Sequence, residues 1–278
     1  MRKRFLSYLA AITAGCASPA MAQQTLGDTA VKAEPDEPSR SDVSGFIALG
    51  VAGQPRYDGS DKYQVSPLAF ANVKWQGLEL QLRGTRARVD LLAESPFQIG
   101  PAVGMRANRY NNDATGAVAR LADIKTGIEV GGYVGYRFGG DEHGRGEIGF
   151  DLTVLKDVND AHNGIVAIGQ VSYAAVRKSR FFMDVDAQTT FGSRKYMQTY
   201  FGITPEQSAV SGLAAYRPGA GLRDVGTGIT AGYQFNSRWG LISRIGGSYY
   251  VGDVKDSPIV RAGSKVQIVG GLGVAFRF

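Results

Sequence analysis

The chain has 278 residues, a formal net charge of +6 and 44% hydrophobic residues, and past its amino-terminal stretch no apolar run approaches what a membrane helix requires, roughly 20 residues. A helical membrane protein is excluded, as are a collagen-like chain, because the 38 glycines keep no three-residue period, and a disordered one, because the apolar content is ordinary. Lysine and arginine are scattered singly instead of forming a basic patch, so no nucleic-acid partner is expected; arginines facing the inside of a barrel account for the surplus.

Arg2, Lys3 and Arg4 precede an apolar stretch from Phe5 to Ala14, and Ala20-Met21-Ala22 offers small residues where a signal peptidase cuts. Residues 1–22 are read as a signal peptide, leaving Gln23 first. Cys16 follows Ala14-Gly15 as in a lipoprotein site, but Thr13 stands where a bulky aliphatic residue is usual. Cleavage after Ala22 removes this one cysteine, and with it any disulfide or thiolate chemistry. Residues 23–41, including Glu34-Pro35-Asp36-Glu37-Pro38, are too polar to pack and are expected to be a flexible periplasmic lead-in.

From residue 42 to 278 the governing signal is a two-residue period, the mark of strands with one apolar and one polar face. Strands are expected near 43–52, 65–75, 97–110, 125–138, 146–155, 164–175, 180–191, 221–235, 238–251 and 263–278, with a short hairpin over 78–92 turning near Gly84-Thr85. Many of these segments match the roughly 9–11 residues that cross a bilayer at a tilt. Long connections at 192–220 and 252–262 fall on one side, and short turns at Gln76-Gly77, Arg177-Lys178-Ser179 and Asn236-Ser237 on the other. With both termini in the periplasm the strand number is even. The expected fold is therefore all-β, a transmembrane antiparallel β-barrel of twelve strands, or ten without the hairpin.

Ionisable residues on the polar faces, Glu129, Arg137, Asp151, Asp184 and Asp186, are the candidate lumen groups; they either hydrate a channel or pair and close it. In the last strand Leu272, Val274, Phe276 and Phe278 alternate with Gly271, Gly273, Ala275 and Arg277. This aromatic carboxyl end resembles the signal read by the outer-membrane barrel assembly machinery, with Phe276 and Phe278 as its assembly residues.

No catalytic, cofactor-binding or metal-binding residue is expected. The two histidines, His143 and His162, lie in predicted connections, and no metalloprotease, nucleophile-elbow or phosphate-loop motif occurs. His162 near Asp157 and Asp160 is read as part of a solvated loop, and Asp157-Val158-Asn159-Asp160 as turn chemistry, since Ala161 stands where a calcium loop needs a ligand.

Four stretches stand out beyond the alternation: Pro55-Arg56-Tyr57-Asp58-Gly59-Ser60 with Tyr63 and Pro67; Tyr200-Phe201-Gly202-Ile203-Thr204 leading to Ser211-Gly212-Leu213 and Tyr216; Asp256-Ser257-Pro258-Ile259-Val260; and the Phe276-Arg277-Phe278 ending. Together they resemble the MipA/OmpV family, the MltA-interacting outer-membrane proteins. The resemblance implies a non-enzymatic protein of the Gram-negative cell outer membrane, in contact with outer-membrane lipid and lipopolysaccharide. For one branch it implies a scaffold joining a murein (peptidoglycan) synthase to a lytic transglycosylase, and for others a porin-like small-solute channel or an adhesin. Tyr57, Asp58, Gly59, Ser60, Tyr200, Phe201, Gly202, Asp256, Ser257 and Pro258 are expected in the outer loops, at the mouth.

Overall fold

The computed structural model describes residues 43–278; the expected signal peptide, Cys16 and the lead-in lie outside the described residues. Twelve strands follow in chain order: β1 (Val43–Pro55), β2 (Tyr63–Trp75), β3 (Leu78–Arg83), β4 (Arg86–Asp90), β5 (Phe97–Arg106), β6 (Gly127–Gly139), β7 (Glu147–Asp157), β8 (Ile165–Lys178), β9 (Phe181–Gly192), β10 (Gly221–Gln234), β11 (Trp239–Tyr250) and β12 (Val266–Arg277). Each pairs antiparallel with its sequence neighbours, and β12 returns to β1 over Phe46↔Arg277 to Gly53↔Gly270, so the sheet closes. The last residue takes part in the closure, with Gly45 and Phe278 exchanging backbone bonds at 3.1 and 3.0 Å.

Alternation decides which face looks where. On β9, Asp184, Asp186, Gln188 and Thr190 are buried, whereas Ala187 and Phe191 are exposed. On β7, Asp151 and Thr153 are buried while Phe150, Leu152 and Val154 face outward. Outward aromatics gather toward the rim that carries both ends of the sheet: Trp239 lies 4.9 Å from Phe276, Phe97 lies 4.6 Å from Tyr136, and Phe138 stacks on Phe150 at 5.8 Å. An apolar outer wall with a rim of aromatic rings is what hydrocarbon and its polar boundary select.

The hairpin is formed by β3 and β4, with Gly84 and Thr85 between them, but it is shorter than the wall around it. Strand β2 meets β3 only from Phe70 to Trp75, and the Gly84 N–H reaches the Ala69 carbonyl at 2.8 Å, so Tyr63–Leu68 run on without a strand neighbour on that side. Because Ala69 turns its carbonyl to this edge, residues two and four positions away do the same. Pro67 is one of them. A proline here has no N–H to leave unpaired, which suits an edge where nothing accepts one.

Two strand ends that differ from those expected, and the form of the long connections, bear on the interior. β5 ends at Arg106, not 110, because Ala107–Tyr110 leave the wall, and Arg109 instead bridges Ile124 across the following loop. β8 continues to Lys178, so Arg177 and Lys178 belong to the strand and the turn is Ser179-Arg180. The long connections are partly helical: 193–220 contains α1 (Arg194–Phe201) and α2 (Pro205–Ser211), and 251–265 contains α3 (Pro258–Arg261).

Close strand contact depends on small residues in the wall. A methyl group on Gly131 would stand 1.9 Å from the Val154 carbonyl oxygen, inside the β6–β7 ladder, whereas one on Gly169 would meet nothing nearer than 3.9 Å. Overpacking of this kind costs about 1–3 kcal/mol. Gly131→Ala is expected to lower the urea midpoint of the refolded barrel and shrink its heat-modifiable gel band, and Gly169→Ala to leave both unchanged.

Candidate functional site

The interior begins with charges that the strands aim inward, and each of the candidate lumen groups has a partner. Asp151 takes Arg88 at 3.0 Å and Arg137 at 2.9 Å, tying β4, β6 and β7. Asp186 takes both terminal nitrogens of Arg244, at 2.7 and 2.9 Å, and Arg244 also donates to Thr230 Oγ1 at 2.6 Å. Glu129 takes Arg106 through a fork of 3.0 and 2.8 Å. Asp184 pairs with Arg177. Bidentate geometry of this kind is the strongest form of such contacts and the most exacting in position.

Room for the arginines comes from glycines on neighbouring strands. A methyl on Gly228 would stand 2.3 Å from Arg244 Nη2, and one on Gly149 would stand 2.2 Å from Arg137 Nη1. Two β-bulges set the remaining pairs. Between Ala174 and Val176 the β8–β9 register shifts by one residue, which turns Arg177 inward beside Asp184. Between Leu222 and Asp224 the β9–β10 register shifts likewise, and consecutive residues Arg223 and Asp224 both point inward and are fully buried. Without the bulges, strict alternation sends one member of each pair to lipid.

Above these charges the loops form an apolar plug. Tyr196, Met197, Tyr200 and Phe201 of α1 pack with Ile124, Val166, Ile168, Tyr250, Val254 and Val260. A second cluster joins Tyr57, Ala107, Ala114, Val118, Leu121, Ile203 and Ile259. Local chemistry sets the helices: Thr204 and Gln207 form a capping box at the start of α2, Pro205 is its first residue, and Gly212 ends it at φ 79°.

Polar ties hold the loops to one another. Ser257 Oγ donates to the Phe201 carbonyl at 2.7 Å and accepts the Ile259 N–H at 3.3 Å, starting α3 at Pro258. Tyr200 Oη donates to the Ala107 carbonyl at 3.2 Å, and Arg109 returns a bond to the Tyr200 carbonyl at 3.1 Å. Tyr250 Oη donates to Asp58 at 3.2 Å, Arg223 lies 3.7 Å from the same carboxylate, and Arg223 Nη1 donates to Tyr196 Oη at 2.8 Å. Gly59 donates its N–H to Gln267 at 3.3 Å, and Ser60 folds back on the Lys62 carbonyl at 3.0 Å. Gly202 caps α1 where a methyl would strike the Gln198 carbonyl oxygen at 2.4 Å. The structure thus brings together every expected mouth residue except Asp256, which is 44% exposed and pairs with Arg261 on the surface.

The expectation of a solvated His162 is overturned. Its side chain is fully buried, Nε2 lies 3.0 Å from Glu129, and its ring meets Tyr196 edge-on at 5.2 Å. The Gly164 N–H donates to Nδ1 at 3.1 Å, so the ring proton sits on Nε2 and points at Glu129. Asp157 turns the chain by accepting the N–H groups of Asn159, His162 and Asn163, which delivers the imidazole inward. Sequence reasoning also passed over Arg88, Arg106, Arg244, Arg223, Asp224 and Tyr196. Arg88, Arg106 and Arg244 sit at inward positions of their strands and were legible from parity; Arg223 was not, because its bulge leaves no mark in the alternation.

Burial raises the α1 phenols above their ordinary range, Tyr200 well above it and Tyr196 to about 12, with the nearby Arg223 and Arg106 opposing the shift at Tyr196. Burial also lowers the Arg109 guanidinium to about 10.

A closed antiparallel barrel with a lipid-facing apolar exterior, aromatic rings at its rim and a charged interior is an outer-membrane β-barrel protein. The family model described as "MltA-interacting protein MipA" matches residues 47–278, and the chain belongs to that family. Among solved structures, the COG4313 outer membrane channel from Pseudomonas putida F1 is similar at 11% identity and a TM-score of 0.45, over 90% of this chain and 100% of that one. The KdgM porin is similar at 11% identity and a TM-score of 0.39, over 84% and 99%. OmpT of Vibrio cholerae gives 8% and 0.36, over 85% and 97%. No curated protein sequence matches.

Two outcomes are expected. Arg244→Met strands a buried carboxylate and is expected to destabilise the barrel by about 3–5 kcal/mol, whereas adding Asp186→Asn to it recovers part of that loss in a urea double-mutant cycle. Phenols ionise near pH 10 in the unfolded chain and higher in the plug. Their stabilising contribution is therefore complete below pH 10 and lost as pH rises toward about 12. Absorbance titration at 295 nm is expected to show late-ionising tyrosines, one fewer in Tyr196→Phe.

Proposed function

We propose that this protein is a non-enzymatic scaffold of the outer membrane, a closed barrel that presents its periplasmic side to a peptidoglycan synthase and a lytic transglycosylase. The observation that carries the reading is the filled interior: Glu129, Asp151, Asp184 and Asp186 are each engaged by arginine, and the loop end is occupied by the α1 core. Charges committed to one another hold little water, and this favours a structural barrel over a general small-solute channel. The family description supports the partner, since it names interaction with MltA for the protein it describes. The even strand number puts both ends of the sheet on one rim, the side of the short turns, which in this class faces the periplasm. Signal-peptide export after Ala22 belongs to the same reading.

Pull-down from outer-membrane extracts with the native barrel is expected to enrich a lytic transglycosylase and a murein synthase at least several-fold over an unrelated barrel. In planar bilayers, the purified barrel is expected to give no steady conductance steps. Ohmic steps that change with Asp186→Ala, with no enrichment in the pull-down, would replace the scaffold by a channel.

A further inference from the structure

At the periplasmic rim the barrel opens into a cavity of about 100 Å³. Its floor is apolar, built from Phe46, Phe182, Ile242 and Ala275, and the Phe182 ring lies so close over Gly232 that a methyl there would stand 2.0 Å from it. Its edge is basic: Arg177, Lys178, Arg180, Arg238 and Arg277 all line it. Arg177 is held by Asp184. Among the described residues no ion pair or hydrogen bond engages the side chains of Lys178, Arg180 or Arg238. The acidic groups of the adjoining turn do not neutralise them, since Asp141 is occupied by Arg145 at 3.3 Å and the Glu142 side chain is 87% exposed beside His143.

The chain itself carries the complement. Glu34, Asp36 and Glu37 alternate with Pro35 and Pro38, five residues and more ahead of Val43, where β1 enters the wall at this same rim. Phe46, on that first strand, is part of the cavity floor and pairs in register with Arg277. From Val43, the five residues back to Pro38 span at most about 17 Å when extended, enough to bring the acidic segment to a cavity whose lining begins at Phe46, three residues along β1. Proline rings pack well on aromatic floors with little ordering cost, carboxylates meet guanidinium groups in pairs, and a tether of this length supplies a local concentration near millimolar.

We infer that the acidic, proline-containing segment Glu34–Pro38 docks into the basic, aromatic cavity at the periplasmic mouth. The occupant is this chain's own amino-terminal lead-in, held by charge on Arg180, Arg238 and Lys178 and by proline contact with Phe46 and Phe182.

Disulfide trapping tests this in the protein as purified from outer membranes, with Cys16→Ser included so that no other thiol remains whether or not the leader is removed. Ala33→Cys is combined with Ser179→Cys at the cavity edge, or with Ser95→Cys in the β4–β5 connection on the same rim but away from the cavity. These sites keep every charged residue in place. The Ala33–Ser179 pair is expected to cross-link at least tenfold faster than the Ala33–Ser95 pair. Glu34→Gln, Asp36→Asn and Glu37→Gln together, or 1 M salt, where screening acts over about 3 Å, are expected to bring the two rates together. Equal rates in the unmodified segment, cross-linking at neither site, or a preference for Ser179 that survives both charge neutralisation and salt would overturn the proposal. Folding of each variant is checked by its heat-modifiable band, so a failed barrel is not scored.

Discussion

A strand immersed in hydrocarbon can place its N–H and C=O groups only on another strand, so a sheet in a membrane has to close on itself. The closure here runs through β1 and β12 and reaches the last residue, where Phe278 and Gly45 exchange bonds. Once the sheet is a cylinder, the two-residue period of each strand has only two destinations, lipid and lumen. Apolar residues go outward, and polar ones are gathered into a narrow interior where their side chains are buried. That crowding then imposes a second requirement, because carboxylates brought together in a narrow interior need cations, and the arginines of β4, β5, β6, β8 and β11 supply them.

The wall relaxes this rule along the loop-side half of β2. The β3–β4 hairpin stops short, and Tyr63–Leu68 have one strand neighbour instead of two. Pro67 lies on that edge. The loops respond to a different constraint. They are tied to each other by Ser257, Tyr200, Arg109 and Tyr250, and to the lumen by Arg223 and His162, so plug and wall form one hydrogen-bonded body. A buried charge network contributes little to net stability, yet it penalises any arrangement that separates its members. Its effect here is to fix how the plug sits in the barrel.

The two rims therefore differ in character. One is filled from above by aromatic residues of α1, and the other is an open basic cavity beside the point where the chain enters the wall. In outer-membrane barrels the short turns lie on the periplasmic side and the long loops outside, so the proposed orientation puts the filled rim at the cell surface and the basic one in the periplasm. Under the proposed scaffold role the second rim is the one offered to peptidoglycan enzymes, and the inferred docking of the acidic lead-in would occupy its basic cavity.

Sequence alone determined the class of fold, because alternation is a local property: an even-stranded barrel and the inward positions of Glu129, Arg137, Asp151, Asp184 and Asp186 follow from parity, whereas twelve strands and ten both satisfied it, and the closed sheet with its Gly84-Thr85 hairpin decided for twelve. Parity also held the signal for Arg88, Arg106 and Arg244. The loop motifs around Tyr57, Tyr200 and Ser257 were legible as a set through their family resemblance, but not as neighbours. Only the tertiary structure decided that Arg223 and Asp224 both face inward, that Arg177 is a lumen residue, and that His162 is buried on Glu129. Each depends on a bulge or a loop path, and these are set by the register that barrel closure imposes across strands far apart in the chain, where no local pattern of residues carries the information.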